Sequence, residues 1–175
     1  MQLVKILDVL EGLFVASEHP EIVEISRYGQ TDAVAGVPPY AGVRVKYPSG
    51  ATAMLWGSNE PGGVPVPVPE VMPTVARRAP RIAIFAAQLL DVARPSIFRS
   101  WTLLAFPSLG LESERGTMPF GLSIVGADGT TTQLRATATG GDVRDPAEDP
   151  YPDYRIPEGV KEWHPVVNAQ PAVPA

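Results

Sequence analysis

The sequence predicts an α+β fold, an antiparallel sheet with two helices on one face, and three observations carry that prediction. Two apolar stripes recur at helical spacing, one from Leu3 to Phe14 and one from Ile82 to Val92. Each stripe is followed by three short segments of strand character. Each set of three closes on a hairpin with glycine at the end of its loop, Gly50 in the first and Gly129 in the second. A fold of this class buries one stripe per helix against one face of the sheet.

The first stripe places Leu3, Ile6, Leu7, Leu10, Leu13 and Phe14 on one side, with Lys5, Asp8 and Glu11 on the other. His19-Pro20 should end this helix, because the residue before a proline is pushed out of the helical region. Glu21–Arg27 then reads as a short strand, and the Gly- and Pro-rich stretch Gln30–Pro39 as a loop. Val43–Tyr47 and Ala51–Trp56 alternate as two further strands. A loop of Pro48, Ser49 and Gly50 puts proline in a type I turn and glycine at the left-handed position of a bulge. Val43, Val45 and Tyr47 then lie opposite Leu55, Ala53 and Ala51, while Arg44 and Lys46 share the other face with Met54 and Thr52. One face is apolar, so the register is well specified.

The alternating Val-Pro run within residues 58–69 predicts a stiff polyproline spacer, rising about 3.1 Å per residue, between sub-units 1–57 and 70–139. Beyond it the order repeats. Ile82, Phe85, Ala86, Leu89 and Val92 form the second stripe. Pro73 suits a first turn and Pro80 a kink, which predicts a broken or kinked helical segment from Glu70 to Ala93; a start at Pro80 would give a shorter helix. Phe98–Phe106, Pro119–Val125 and Thr130–Thr139 read as strands, with a loop over Pro107–Thr117. A three-residue loop, Ala127-Asp128-Gly129, sets Leu122 against Leu134 and Ile124 against Thr132. The shorter Asp128-Gly129 turn would oppose them to Arg135 and Gln133, so burial selects the longer loop. The result is helix–strand–strand–strand twice. Tandem duplication is one account of it; a short α+β domain reaching this order by chance is the other.

Residues 1–139 are read as one domain, and 140–175 as an acidic, proline-rich extended tail. Seven of the 20 prolines and seven of the 19 acidic residues fall in that tail against three basic ones, so it holds most of the formal charge of -5. A segment of this composition cannot repay its own ordering entropy. Yet Tyr151, Tyr154, Ile156, Val160 and Trp163 stand among its acids, and aromatic groups on a proline-stiffened chain suit docking. The arm wraps its own body, docks on a protein partner or a second copy, or stays disordered. In the second case Tyr151, Tyr154 and Trp163 are the anchors, and the acids steer toward Arg77, Arg78 and Arg81 of the other copy. Residues 1–139 are expected to fold without the arm.

The chemistry the sequence can hold is limited. There is no cysteine, which removes disulfides and thiolate ligands. No nucleophile elbow, phosphate loop or dinucleotide-binding glycine pattern occurs. Of the 2 histidines, His19 at a helix end suits a cationic cap, and His164 has no recognisable partner nearby. Asp8 and Glu11 lie on a polar helix face. The acids from Asp142 to Asp153 lack the mid-loop glycine and final glutamate of a calcium loop. No catalytic residue, cofactor or metal is expected. The longest apolar run, Ile82–Ala87, is far short of the ~20 residues that span a bilayer, so no membrane association is expected. Mild acidity gives no attraction to a phosphate backbone, so nucleic acid is not an expected partner. The expected location is cytoplasmic, or a virion if the chain is phage-encoded.

These features lead to a non-catalytic protein-interaction or assembly subunit, with a structural component of a larger particle such as a phage virion as its most concrete form. One alternative is a small-molecule or nucleic-acid binding module that uses the Arg77, Arg78 and Arg81 patch. Another is an adaptor or chaperone-like protein.

Overall fold

In the computed structural model, which describes residues 1–29, 40–59 and 62–164, the first apolar stripe forms α1, Leu3–Ala16. Three strands follow as a meander: β1 (Glu24–Gly29), β2 (Ala41–Lys46) and β3 (Thr52–Ser58). The second unit comprises β4 (Val64–Val66), α2 (Arg78–Ala93), β5 (Phe98–Ala105), β6 (Gly121–Gly126) and β7 (Thr131–Thr139). A single turn, α3 (Glu158–Lys161), lies in the tail. All seven strands join one antiparallel sheet in the order β1-β2-β3-β7-β6-β5-β4. The fold class is the one the sequence predicts. The expected loop Gln30–Pro39 lies outside the described residues.

Both hairpins adopt the register that burial requires. Val43 faces Leu55 and Val45 faces Ala53 in the first; Leu122 faces Leu134 and Ile124 faces Thr132 in the second. Gly50 at φ +86 and Gly129 at φ +87 occupy the left-handed position at the end of each loop. Val43, Val45, Leu55, Leu122, Ile124 and Leu134 are buried on one face, with Ile6, Leu10 and Leu13 of α1 and Ile82, Ala86 and Leu89 of α2 packed over them.

Three elements differ from expectation. β1 begins at Glu24 rather than Glu21, because residues 19–22 form a turn, with the Ile22 N–H donating to the His19 carbonyl, and Glu21 is drawn into the interior. α2 does not start at Glu70. Residues 70–77 are irregular, with one turn closed by the Arg77 N–H on the Thr74 carbonyl, and Pro80 sits in the first turn of the helix, where a missing N–H costs nothing. The Val-Pro run is not only a spacer, since Val64–Val66 pairs with Leu103–Ala105 as an edge strand. Proline is tolerated there because only one side of an edge strand needs donors, and it also blunts that edge.

The two units repeat in detail. One interval separates Ile6 from Ile82, Leu13 from Leu89, and Glu18 from Arg94. Those last two are the non-glycine residues with positive φ among the described ones, both at φ 46, just after α1 and α2. A second interval, three residues longer, separates Gly42 from Gly121, Gly50 from Gly129 and Leu55 from Leu134. The seam between the units, β3 on β7, is reciprocal. Trp56 faces Arg135 at its centre, Leu55 faces Ala136 as Gly57 faces Leu134, and Met54 faces Thr137 as Ser58 faces Gln133. An isologous contact of this kind is what two like units form about a two-fold axis.

Candidate functional site

Of the residues singled out in the sequence, Arg78, Arg81, Tyr151 and Tyr154 come together along the groove beside α2, while Arg77 and Trp163 lie outside it. Arg78 is the first residue of α2, and its side chain is 4% exposed. It donates to Glu21 at 2.7 Å and to Asp145 of the tail at 2.9 Å, and its guanidinium lies 3.7 Å over the ring of Tyr47. A cation at a helix N-terminus opposes the dipole, and here two carboxylates answer it. Burial works against the charge on Arg78, but the bonds to Asp145 and Glu21 outweigh it and hold its pKa above the usual value. Burial likewise opposes the charge of Asp145, and its bonds from Arg78 and Ser49 outweigh that and lower its pKa. Burial pushes the Tyr47 phenol up. Glu21 Oε1 and Arg78 Nε stay buried with no hydrogen-bond partner.

The other two arginines are also answered within the chain. Arg77 pairs with Glu114, while Arg81 donates to the Pro73 carbonyl at 2.6 Å and lies 3.6 Å from Asp149 of the tail. The cluster is therefore not a bare cationic patch. It is a set of sockets, two of which hold the chain's own tail.

That tail crosses the helix layer as a strap. The Val143 N–H donates to the Ser49 carbonyl, and Ser49 Oγ donates to Asp145 at 2.7 Å. The Tyr154 hydroxyl donates to the Ser17 carbonyl at 2.7 Å. Val160 is fully buried among core residues, and Ile156 and Trp163 pack against the same core. Trp163 lies over Gly12 of α1, where any side chain would overlap the indole. Tyr151 remains exposed. Of the expected anchors, Tyr154 and Trp163 are thus engaged by the body of their own chain.

His19 is not a solvated cap. Its ring sits between body and strap, with centroids 5.3 Å from Phe85, 4.3 Å from Tyr154 and 6.4 Å from Tyr151. Its Nδ1 accepts the Glu21 N–H at 3.1 Å. Burial lowers its pKa below 6.5, against the opposing pull of Glu21 and Asp149. Beneath the strap a cavity of about 550 Å³ remains, walled by α2 and the tail and floored by Ile22, Tyr47 and Met72. Sequence reading missed His19, Glu21 and Tyr47 as members of this region. Among the described residues no group of three or more metal-ligating side chains converges, and no helix is long and apolar enough to cross a membrane.

Among the described residues the opposite face of the sheet carries no helix. By alternation it presents Tyr28 of β1, Arg44 of β2 and Met54 and Trp56 of β3. Tyr40 packs against Trp56 with ring centroids 6.1 Å apart, Arg44 lies 5.9 Å over Tyr28, and Trp56 Nε1 donates to Thr137 at 3.1 Å. No family model, curated protein or solved structure matches the chain.

Proposed function

We propose that this chain is a non-catalytic interaction subunit that engages a protein partner through the helix-free face of its sheet. The observation that supports this most is the grouping of Tyr28, Tyr40, Arg44 and Trp56 on that face, while the helix face is covered by the chain's own strap. Tyr, Trp and Arg dominate the energetics of protein interfaces, and aromatic rings already held by neighbours lose little entropy on docking. Arg44 and Lys46 are exposed there with Glu24 opposite Lys46, which favours a partner with acidic residues at its rim. An adaptor and a component of a larger particle, a phage virion included, both fit this role, since each presents a surface and transforms nothing.

The test is sedimentation of the full chain at two concentrations, followed by affinity capture from host extract, each repeated with Trp56→Ala/Arg44→Glu. The expected result is self-association or a retained protein that the double variant loses. A monomer that retains nothing, or retention equal in wild type and variant, overturns the reading.

A further inference from the structure

We propose that the cavity beneath the strap is a binding site for an uncharged, mainly apolar small molecule that carries a planar ring. This goes beyond the interaction role, because it concerns the other face of the molecule. The cavity, at about 550 Å³, falls in the range of small-molecule sites. Its walls come from three separate parts of the chain. α2 offers Ile82, Phe85 and Val92 from one stripe, the floor offers Ile22 and Met72, and the strap offers Tyr154 and Ile156. The rings of Phe85 and Tyr154 stand 6.2 Å apart in an edge-on arrangement, and both line the cavity.

Charge selects the ligand class. The lining holds Arg78, Arg81 and Arg155 against Glu21, Asp91 and Asp149, so it has no net charge. Most of these are already engaged. Arg78 is held by Glu21 and Asp145, Arg81 by the Pro73 carbonyl with Asp149 beside it, and Asp91 accepts from Trp101 Nε1 at 2.7 Å. A charged ligand at Arg78, Arg81 or Asp91 would have to break one of these contacts, whereas a neutral one need not. Arg155, bonded to the Tyr154 carbonyl, is exposed, and an ion pair there is worth little in water. His19 supplies a polar contact. Its Nδ1 is taken by the Glu21 N–H, so the neutral ring carries its proton on Nε2, a donor in the cavity wall for a carbonyl or ether oxygen.

The strap also provides a way in. It is pinned at one end by Asp145 on Arg78 and at the other by Tyr154 on Ser17. Between these pins residues 146–153 are exposed, and Asp149 stands 3.6 Å from Arg81. A ligand seated against Tyr151 and Pro152 would hold that stretch down while both pins stay in place.

Fluorescence titration of the full chain with N-phenyl-1-naphthylamine tests this. 8-Anilinonaphthalene-1-sulfonate serves as control, because it has the same skeleton with an added sulfonate. The expected result is saturable one-to-one binding of the neutral probe, about tenfold tighter than the anionic one. Bound probe should slow tryptic cleavage after the exposed Arg155. Val92→Trp and Met72→Trp fill the cavity from opposite sides, and the loss of binding in either variant, with its melting transition intact, supports the site. No saturable binding of the neutral probe, equal affinity for both probes, or unchanged affinity in every folded variant overturns it.

Discussion

The Tyr154 hydroxyl donates a 2.7 Å hydrogen bond to the carbonyl of Ser17, the residue that caps the C-terminus of α1. Helix ends leave carbonyls without intrahelical donors, and this one is satisfied by a side chain 137 residues away. Tyr154→Phe should therefore cost about 1 kcal/mol in urea denaturation. Removing residues 140–175 should cost several times that, since Val160, Ile156 and Trp163 leave the core with it. A truncated chain as stable as the full one would show that these contacts do not stabilise the body. A truncated chain with no cooperative transition would overturn the expectation that residues 1–139 fold without the arm.

Gly12 in α1 offers a discriminating substitution. In an exposed helix Gly→Ala stabilises by about 1 kcal/mol. Here the new methyl overlaps the Trp163 ring, so Gly12→Ala should lower the melting temperature of the full chain and raise it in a chain lacking the tail. A gain in both would place Trp163 elsewhere.

Breaking the Arg78 cluster should be severe. Arg78→Ala leaves Glu21, at 3% exposure, as a buried charge without its partner, at about 3–5 kcal/mol. Arg78→Met with Glu21→Gln removes both charges and should recover part of the loss. Equal stability of the single and double variants in denaturant titration would show that the pair is not coupled.

His19 sets a pH dependence. Its pKa is lowered by burial, so the folded chain favours the neutral ring. That contribution is complete above the unfolded value of 6.5 and is lost as pH falls through the folded pKa. Melting temperature should therefore drop on acidification through this window, and His19→Gln should flatten the drop. The same slope in both proteins would assign it to other groups.

Gly50→Val and Gly129→Val should each destabilise by at least about 1–2 kcal/mol, because a β-branched residue is strained at positive φ. Gly50 should be the worse site, since Gly141 and Asp142 lie against it while Gly129 faces open space. Thermal melts of the two variants measure both the cost and the ranking.

What was legible in the sequence was local. Hairpin registers followed from alternation and loop length, because partners only a few residues apart leave few alternatives. The extent of α2 was harder to read, since Pro73 and Pro80 both suit a first turn and only packing chooses between them. The cluster around Arg78 was out of reach. Its carboxylates lie 57 and 67 residues away along the chain, and nothing in the residues around Glu21 marks it as a buried acid. The strap was half legible, since its aromatics announced docking without naming the seat.

The reciprocal seam between β3 and β7 bears on how the chain comes together. Each hairpin closes over three residues, but the Trp56–Thr137 contact across the seam joins residues 81 apart. Loop closure over that distance rewards late, so the middle of the sheet should be among the last parts to form, after both meanders. Until then each half carries an open third strand, and the reciprocal register allows the backbone of that strand to pair with a strand of another chain. Refolding at high concentration should then divert chains into intermolecular pairing at the seam, and dilution should restore the yield.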